Sequence, residues 1–583
     1  MIYGVICKDR PARRDDLLGM EEQAARFPRA DLPATGSPDQ TTFVRGPVAW
    51  GPCWRCGKRY LQWDGEIYNS RELEMDLQPL AVDPLLVLYG WQRAGRAFLE
   101  RLNGPFALAL WDMEQHRCFL ARGRQGLGAL FWSETAEGWA FARDLDTLFQ
   151  CAWVPRVPDW TRLPEYMVFD HVAGGRTLYR DVRELLPGQT LVVDPTAARS
   201  HLVDPTFAPV PSHLRSRNRE ILAGTDQRLH SAAARLWTPD RPGRSGLFLS
   251  GGVDSALLAE KLTSLGADQR PPTLTVTCPT YRHDEAPFAR TIRRELDLPG
   301  EEIVFEPETF AHAWREGVLS LRYPQTSTNQ APWWLLCHEA HRRGWGTVFS
   351  GEGADGWIGG GLYEEERAEI LRLWDHDPEA VADRVIFCRT HCLNDPELVG
   401  RLLAIPFDVE NRRMLWDRVG ERDDQPAAED CVVLYHVRTT GQRLLTRADQ
   451  AAAAFGIRLR LPYLEADWLH WIRGLPFGVR NAHGVKKWLL KQLCADRWGE
   501  EFAFRKKIGF PFPLRTWIRD ARSPVLEDLR ALTMDSTARR RDIYRPGALE
   551  GLVRPRLEGR IRPADWLLWS VINVELWLRD LGY

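Results

Sequence analysis

Six residues, Ser250-Gly251-Gly252-Val253-Asp254-Ser255, carry the densest chemistry in this chain. They stand between an apolar run and a helical pattern. Two glycines let a backbone approach a ligand closely, two serines supply hydroxyls, and the N–H groups opening the helix make an anion site. No Lys-Ser or Lys-Thr follows the glycines, so this is not a Walker loop; a tight strand–helix turn would use the same residues. A second run, Ser350-Gly351-Glu352-Gly353-Ala354-Asp355, follows another apolar triplet and precedes Gly359-Gly360-Gly361. Open α/β sheets place ligands at the carboxyl ends of their strands. From two such ends, Asp254 and Asp355 would flank a polyphosphate as a carboxylate pair, the usual way of holding Mg2+ there. The plainer alternative is a Gly-rich turn with a solvated Asp.

A third run is basic: Gly484-Val485-Lys486-Lys487-Trp488, then Arg505-Lys506-Lys507-Ile508-Gly509-Phe510-Pro511-Phe512-Pro513. Lysines stabilise charge on a transferring phosphate or a developing oxyanion. A solvated helix face would also be basic. But of 77 Lys and Arg only eight are lysine, and five of those lie between Lys486 and Lys507. Arginine serves the surface elsewhere.

The elements that must position these residues fall into two patterns. The first ~205 residues read as short β runs with turns. Examples are Arg59–Trp63, Phe106–Trp111 and Cys118–Ala121. One helix is expected near Asp83–Ala97, with Leu85, Leu88 and Tyr89 on one face. From Pro205 to Ser216, Pro and Ser mark a linker. Beyond it, strands at Leu247–Leu249, Thr273–Thr277 and Thr347–Phe349 alternate with helices at Asp254–Leu265 and about Trp333–Arg343. That alternation predicts a doubly wound parallel sheet. From about 362 the chain is mainly helical, with Ala451–Ala454 inside a helix. At 583 residues, two or three domains are expected. A net charge of -2 gives no case for nucleic acid. No apolar run reaches the roughly 20 residues of a membrane helix, and the start is too short in apolar residues for a signal peptide. Eleven scattered cysteines read as reduced thiols in the cytoplasm.

The loop Ser250–Ser255 resembles the pyrophosphate loop of ATP pyrophosphatases. The three runs in this order resemble the synthetase domain of the asparagine synthetase family. Further echoes are Asp284-Glu285, Asp449 and Arg460-Leu461-Pro462-Tyr463-Leu464-Glu465. The N-terminal part is similar to that family's class II glutaminase domain. The matching residues there are Asp64-Gly65-Glu66-Ile67-Tyr68-Asn69, Leu102-Asn103-Gly104-Pro105-Phe106-Ala107, Arg122-x-x-x-Gly126-x-x-x-Leu130, Phe141-Ala142 and Leu186-Pro187-Gly188. The resemblance implies an α+β glutaminase-like (Ntn-type) sandwich over 1–205. A doubly wound α/β ATP-pyrophosphatase domain with a helical C-terminal part would follow over 218–583. It implies ATP and Mg2+ as cofactors, and an acyl-adenylate that an amine attacks. Ser250, Gly251, Gly252, Val253, Asp254 and Ser255 would bind pyrophosphate. Leu249, Val276, Ser350 and Gly351 would frame the adenosine, and Asp254 and Asp355 would hold the metal. Lys487 would neutralise transition-state charge, and Glu352 would orient or deprotonate the nucleophile.

Departures from the family pattern sharpen the expectation. A working glutaminase of this family uses a cysteine as its mature N-terminus; position 2 is Ile2, and Cys7 sits inside the first strand as a core thiol. Asp64 replaces an Asn of the oxyanion hole, where a carboxylate repels a developing oxyanion. Gly123 replaces the Asp of R-D-x-x-G. Relatives without a glutaminase use a tethered amine: β-lactam and carbapenam synthetases close small rings, lasso peptide cyclases a macrolactam. β-Lactam synthetase has Tyr where Glu352 stands, and Gly356 replaces the Glu that usually follows Asp355. The expectation is a lasso peptide cyclase, then a small-ring synthetase, then an asparagine synthetase fed with ammonia; a non-catalytic scaffold is the alternative outside the enzymes. A lasso cyclase would act on a precursor peptide with a leader-recognition protein and a leader peptidase, without nucleic acid or membrane. Trp333, Trp334 and Trp357 could line a wide pocket, although tryptophan stripes are more often core. Cys53-x-x-Cys56 lacks a second pair for a zinc site, and His283, His338 and His341 show no metal spacing.

Overall fold

Phe106-Ala107-Leu108-Ala109-Leu110-Trp111 is apolar at every position, so a strand made of it must be covered on both faces. In the computed structural model this is what Phe106–Asp112 does. Ala107, Ala109 and Trp111 face one core, with Ile2, Ile6, Trp50, Trp139 and Phe141; Phe106, Leu108 and Leu110 face another, with Leu86, Val87 and Trp91 of the helix Asp83–Ala94. The structure describes residues 1–8, 10–26, 43–74, 83–203, 218–237, 244–266, 270–281, 284–327, 329–359, 361, 363–374, 376–420, 427–506, 513–518, 520, 522–557 and 565–583.

The chain divides into two units. The first comprises Met1–Pro158, Gly175–Ala208 and Leu445–Gly456; the second comprises Asp159–Gly174, Pro209–Leu444 and Ile457–Tyr583. The division therefore crosses the sequence several times. The expected linker, 205–216, lies outside the described residues. In the first unit, two six-stranded antiparallel sheets contribute side chains to one shared core. The helix expected over 83–97 spans Asp83–Ala94 and continues as a 3-10 helix, Gly95–Arg101. Tyr89 does not share the buried face: it is exposed, while Leu88 is buried. Successive residues on a helix are turned by about 100°, and Leu88 takes the inward position.

The second unit is built on a parallel sheet. Its strands are β1 (Ser245–Phe248), β2 (Thr273–Thr277), β3 (Gly300–Val304), β4 (Thr347–Phe349) and β5 (Arg458–Arg460), in the order β3-β2-β1-β4-β5. β3, Gly-Glu-Glu-Ile-Val, has no apolar run to betray it because it is an edge strand whose residues are exposed or half-buried. The helix α1 (Val253–Leu265) follows β1; Ala256, Leu257, Leu258 and Ala259 are all fully buried, so it is wrapped by protein on nearly every side. Consecutive strands run outward from β1 to β3, and the chain then returns to the other side of β1 for β4. The carboxyl ends of β1 and β4 are thus the point where the winding reverses, which is where open α/β sheets bind their ligands. Among the described residues no helix is long and apolar enough to cross a membrane, and none of the eleven cysteines is joined in a disulfide.

Candidate active site

The two glycine-rich runs emerge side by side at that reversal. After β1, Leu249 remains tied to β2: its N–H donates to Leu274 O (2.9 Å) and its carbonyl accepts from Thr275 Oγ1 (2.8 Å). Its side chain is buried, and Val276 is half-buried in β2. The chain leaves the sheet at Ser250, whose Oγ accepts the Gly252 N–H (3.2 Å) and lies 3.0 Å from Ser255 Oγ. Ser255 donates to Gly252 O (3.1 Å), and Gly252 caps α1. After β4 the same turn recurs: Ser350 Oγ accepts the Glu352 N–H (3.2 Å). Hydroxyls folding back two residues are a turn device that holds such loops in shape. A Cβ on Gly351 would stand 3.0 Å from Ser255 N and 3.1 Å from Asp254 Cβ. A side chain there would press the second loop away from the first turn of α1 by a few tenths of an ångström.

Lys487 joins the two loops. Its Nζ lies 2.6 Å from Asp254 Oδ2 and 2.7 Å from Asp355 Oδ1, and its side chain is 8% exposed. It precedes α3 (Trp488–Trp498); α2 is Ala354–Gly359, which carries Asp355. The Lys487 backbone is left-handed, at φ +56°, a conformation costing a non-glycine residue about 1–3 kcal/mol. Asn481 sustains it: its Oδ1 accepts the Lys487 N–H (2.9 Å) while its Nδ2 donates to Ile358 O of α2 (2.8 Å). Lys486 turns elsewhere, donating to Gly361 O (2.7 Å) with its Nζ 3.8 Å from the centre of the Tyr363 ring. Tyr463, from the run after β5, donates to the backbone carbonyl of Asp254 (2.9 Å); burial pushes its phenol well above the ordinary value.

Two carboxylates around one ammonium leave a negative charge over. Asp254 Oδ1 is buried without a hydrogen-bond partner, and the Asp355 side chain is 56% exposed. Hard oxygen donors with one oxygen unspent fit a magnesium ion, which takes one or two carboxylates and completes its shell with water and phosphate. No three His, Cys, Asp or Glu side chains gather as metal ligands among the described residues.

Other expected residues lie elsewhere. Trp333, Trp334 and Trp357 are buried; Trp333 packs edge-on against Phe248 of β1 and Trp334 stacks on His338. Asp284 accepts from the Thr277 hydroxyl (2.6 Å) at the end of β2. His283, Gly360 and the stretch from Lys507 to Phe512 lie outside the described residues. Two contributors carried no sequence signal of their own, Asn481 and His436. A Cβ on Gly356 would meet Val437 Cγ2 at 3.5 Å and His436 Cδ2 at 3.8 Å, so these two residues back the position after Asp355. His436 Nδ1 lies 3.3 Å from His391 Nε2, and burial pushes both imidazoles down, His436 to about 4.

The first unit gathers a different set. Asp449 belongs here and not beside the phosphate-type loops: its Oδ2 accepts from Gly128 N (3.0 Å) and Ala129 N (3.1 Å) and lies 3.5 Å from Arg143 Nη2. Arg143 Nε lies 3.1 Å from Asp64 Oδ2, and Nη1 donates to Ala129 O (3.0 Å). Two motifs meet nearby, where Asn69 Oδ1 accepts the Asn103 N–H (2.9 Å) and Tyr68 N donates to Asn103 O (2.7 Å). Arg122 is buried and donates to the carbonyls of Gly126 and Leu185, which explains its spacing from that glycine. Ile2 and Cys7 are fully buried, and desolvation raises the Cys7 thiol.

Comparison with known proteins identifies the family. Residues 225–579 match the family described as asparagine synthase, and residues 52–202 match the glutamine amidotransferase domain. A Mycobacterium tuberculosis protein named provisionally as a glutamine-hydrolyzing asparagine synthetase is 27% identical over 525 residues, 81% of this chain and 78% of that protein. Glutamine-hydrolyzing asparagine synthetase 2 of Bacillus subtilis is 24% identical over 77% of this chain and 61% of its own length. The Homo sapiens glutamine-hydrolyzing asparagine synthetase is 24% identical over 87% and 82%. With paired strand-end loops, a bridging lysine and a family match over most of the second unit, this chain belongs to the asparagine synthase family, whose members are ATP-dependent ligases forming AMP and pyrophosphate.

Proposed function

We propose that this chain activates a carboxylate with ATP and joins it to an amine carried by the same substrate. We further propose that the substrate is a peptide, closed into a macrolactam between its N-terminus and an Asp or Glu side chain. Asp64 carries this reading. It stands where the glutaminase motif has a neutral Asn, its carboxylate is held by Arg143, and a carboxylate repels a developing oxyanion. The Cys7 thiol is buried, hence a weak nucleophile. Without ammonia from glutamine, the nitrogen arrives on the substrate. Glu352 and Gly356 depart from the small-ring pattern, which favours a large ring; its closure entropy grows only logarithmically with length.

In the first step the substrate carboxylate attacks the α-phosphorus of ATP. The bond to the β-phosphate oxygen breaks, and pyrophosphate is received by Ser250–Ser255. Leu249, Val276, Ser350 and Gly351 frame the adenosine by family resemblance. Lys487 stabilises the charge that builds on the α-phosphate. Asp254 and Asp355 would hold magnesium, which when bound neutralises phosphate charge. In the second step the amine attacks the acyl carbon, AMP leaves from it, and the amine's proton passes to the Glu352 carboxylate.

The test is mass spectrometry on linear peptides bearing a free N-terminus and an interior Asp or Glu, incubated with the protein and MgATP. The expected product is lighter by one water, with AMP and pyrophosphate formed. If no peptide is dehydrated while a small β-amino acid analogue, or aspartate with ammonia, drives AMP release, the macrolactam assignment falls.

A further inference from the structure

One guanidinium outside the carboxylate cluster touches the loop after β1. Arg505 Nη2 donates to the carbonyl of Gly251 and Nη1 to that of Phe502. Its guanidinium carbon lies 3.9 Å from the centre of the Phe288 ring and 4.4 Å from that of Phe502, so two aromatic rings fix its plane. Gly251 is itself wedged: at φ +79°, a Cβ there would stand 2.7 Å from Glu285 O and 2.9 Å from Ala289 N. Across a trans peptide the carbonyl of one residue and the N–H of the next point in opposite directions. With the Gly251 carbonyl drawn to Arg505, the Gly252 N–H is turned toward Ser250 Oγ, into the loop.

We infer that Arg505 is a positioning residue: by holding the Gly251 carbonyl it fixes the peptide that turns the Gly252 N–H onto Ser250 Oγ, keeps the loop Ser250–Ser255 in the shape that receives the phosphates, and so sets affinity for pyrophosphate and ATP rather than the rate of chemistry. The inference rests on the proposed reading of that loop. Lysine could hold the carbonyl but could neither stack as a plane nor reach both carbonyls from a fixed fork.

Titration calorimetry of the full chain with magnesium pyrophosphate tests it, alongside MgATP kinetics of AMP release. Arg505→Met should weaken pyrophosphate binding about tenfold, equivalent to ~1.4 kcal/mol and one charge-assisted hydrogen bond. The KM for ATP should rise with it while kcat stays within about twofold, the mark of lost uniform binding. Arg505→Lys should recover part of the affinity. A thermal melt checks that the variants fold; if Arg505→Met does not, Arg505→Lys and Phe288→Leu should show a smaller loss in the same direction. Unchanged pyrophosphate affinity, or a fall in kcat with affinity intact, overturns the role of Arg505 alone. Wild-type protein that binds no pyrophosphate overturns the loop reading, and this inference with it.

Discussion

Two carboxylate clusters, one in each unit, use the same elements to opposite ends. Around Lys487, two carboxylates share one ammonium, one Asp254 oxygen is buried without a hydrogen bond, and Asp355 is half open to solvent. Around Arg143, the guanidinium spans Asp64, Asp449 and a carbonyl, and the Asp449 oxygen takes two backbone N–H groups as well. A guanidinium is a rigid fork that closes such a set; an ammonium is a compact charge that can be drawn from one partner to another. The Arg143 cluster adds two backbone N–H groups and a carbonyl to its ion pairs, whereas the Lys487 cluster sets two carboxylates on one ammonium and leaves Asp254 Oδ1 buried without a hydrogen bond. The difference separates a charge set closed by backbone groups from one whose proposed role is to meet a phosphate.

Lys487→Met breaks the open cluster hardest. AMP formation should fall by about a hundredfold to a thousandfold, since a charge aimed at developing negative charge is lost. ATP binding should change far less. Adding Asp355→Asn should relieve the carboxylate repulsion and raise the melting temperature without restoring turnover. AMP release near the wild-type level in Lys487→Met would make the lysine structural and erase the contrast.

The closed cluster should answer in stability instead. Asp449→Ala removes the acceptor of two backbone N–H groups and a partner of Arg143; unpaired buried polar groups cost about 1–3 kcal/mol each. Asp64 is more exposed, so Asp64→Asn should cost about 1 kcal/mol or less. Both should melt earlier by calorimetry while AMP formation persists, and neither should hydrolyse glutamine. Glutamate released by Asp64→Asn would show that one charge alone had silenced the site.

A smaller effect is expected on acidification. His391 and His436 are neutral in the fold because burial depresses them, His436 to about 4 from 6.5. Below pH 6.5 the unfolded chain binds more protons than the folded one, so stability drains away between about 6.5 and 4. The melting temperature should drop over that window, and less so in His436→Gln. An equal slope in the variant would place the acid sensitivity elsewhere.

The phosphate-type loops were legible because Ser, Gly and Asp recur in two similar runs after apolar triplets, where an ordinary turn would need fewer of them. Lys487 stood out through the scarcity of lysine. Residues that serve these through space were not legible. What Arg505 does was hidden too: it stood in the basic stretch with Lys506 and Lys507, but nothing there announces the Phe288 ring that flattens it or the Gly251 carbonyl it holds. Asp449 looked like a part of the second unit because it lies among that unit's residues in sequence, yet its partners are Gly128, Ala129 and Arg143. β3 and β5 escaped for a different reason: one is an exposed edge and the other only three residues long, and neither shows the continuous apolar run of a buried strand.

The left-handed backbone of Lys487 has an evolutionary corollary. At that position the chain must accept a positive φ and also deliver an ammonium between Asp254 and Asp355. The residues most at ease with that backbone, glycine and asparagine, carry no charge. Any drift toward comfort therefore discards the cation, and no single replacement relaxes the turn while keeping the bridge. A lineage that ceased to need the cation would be free to relax at this residue first, so position 487 is where decay of the second unit would show earliest among homologues.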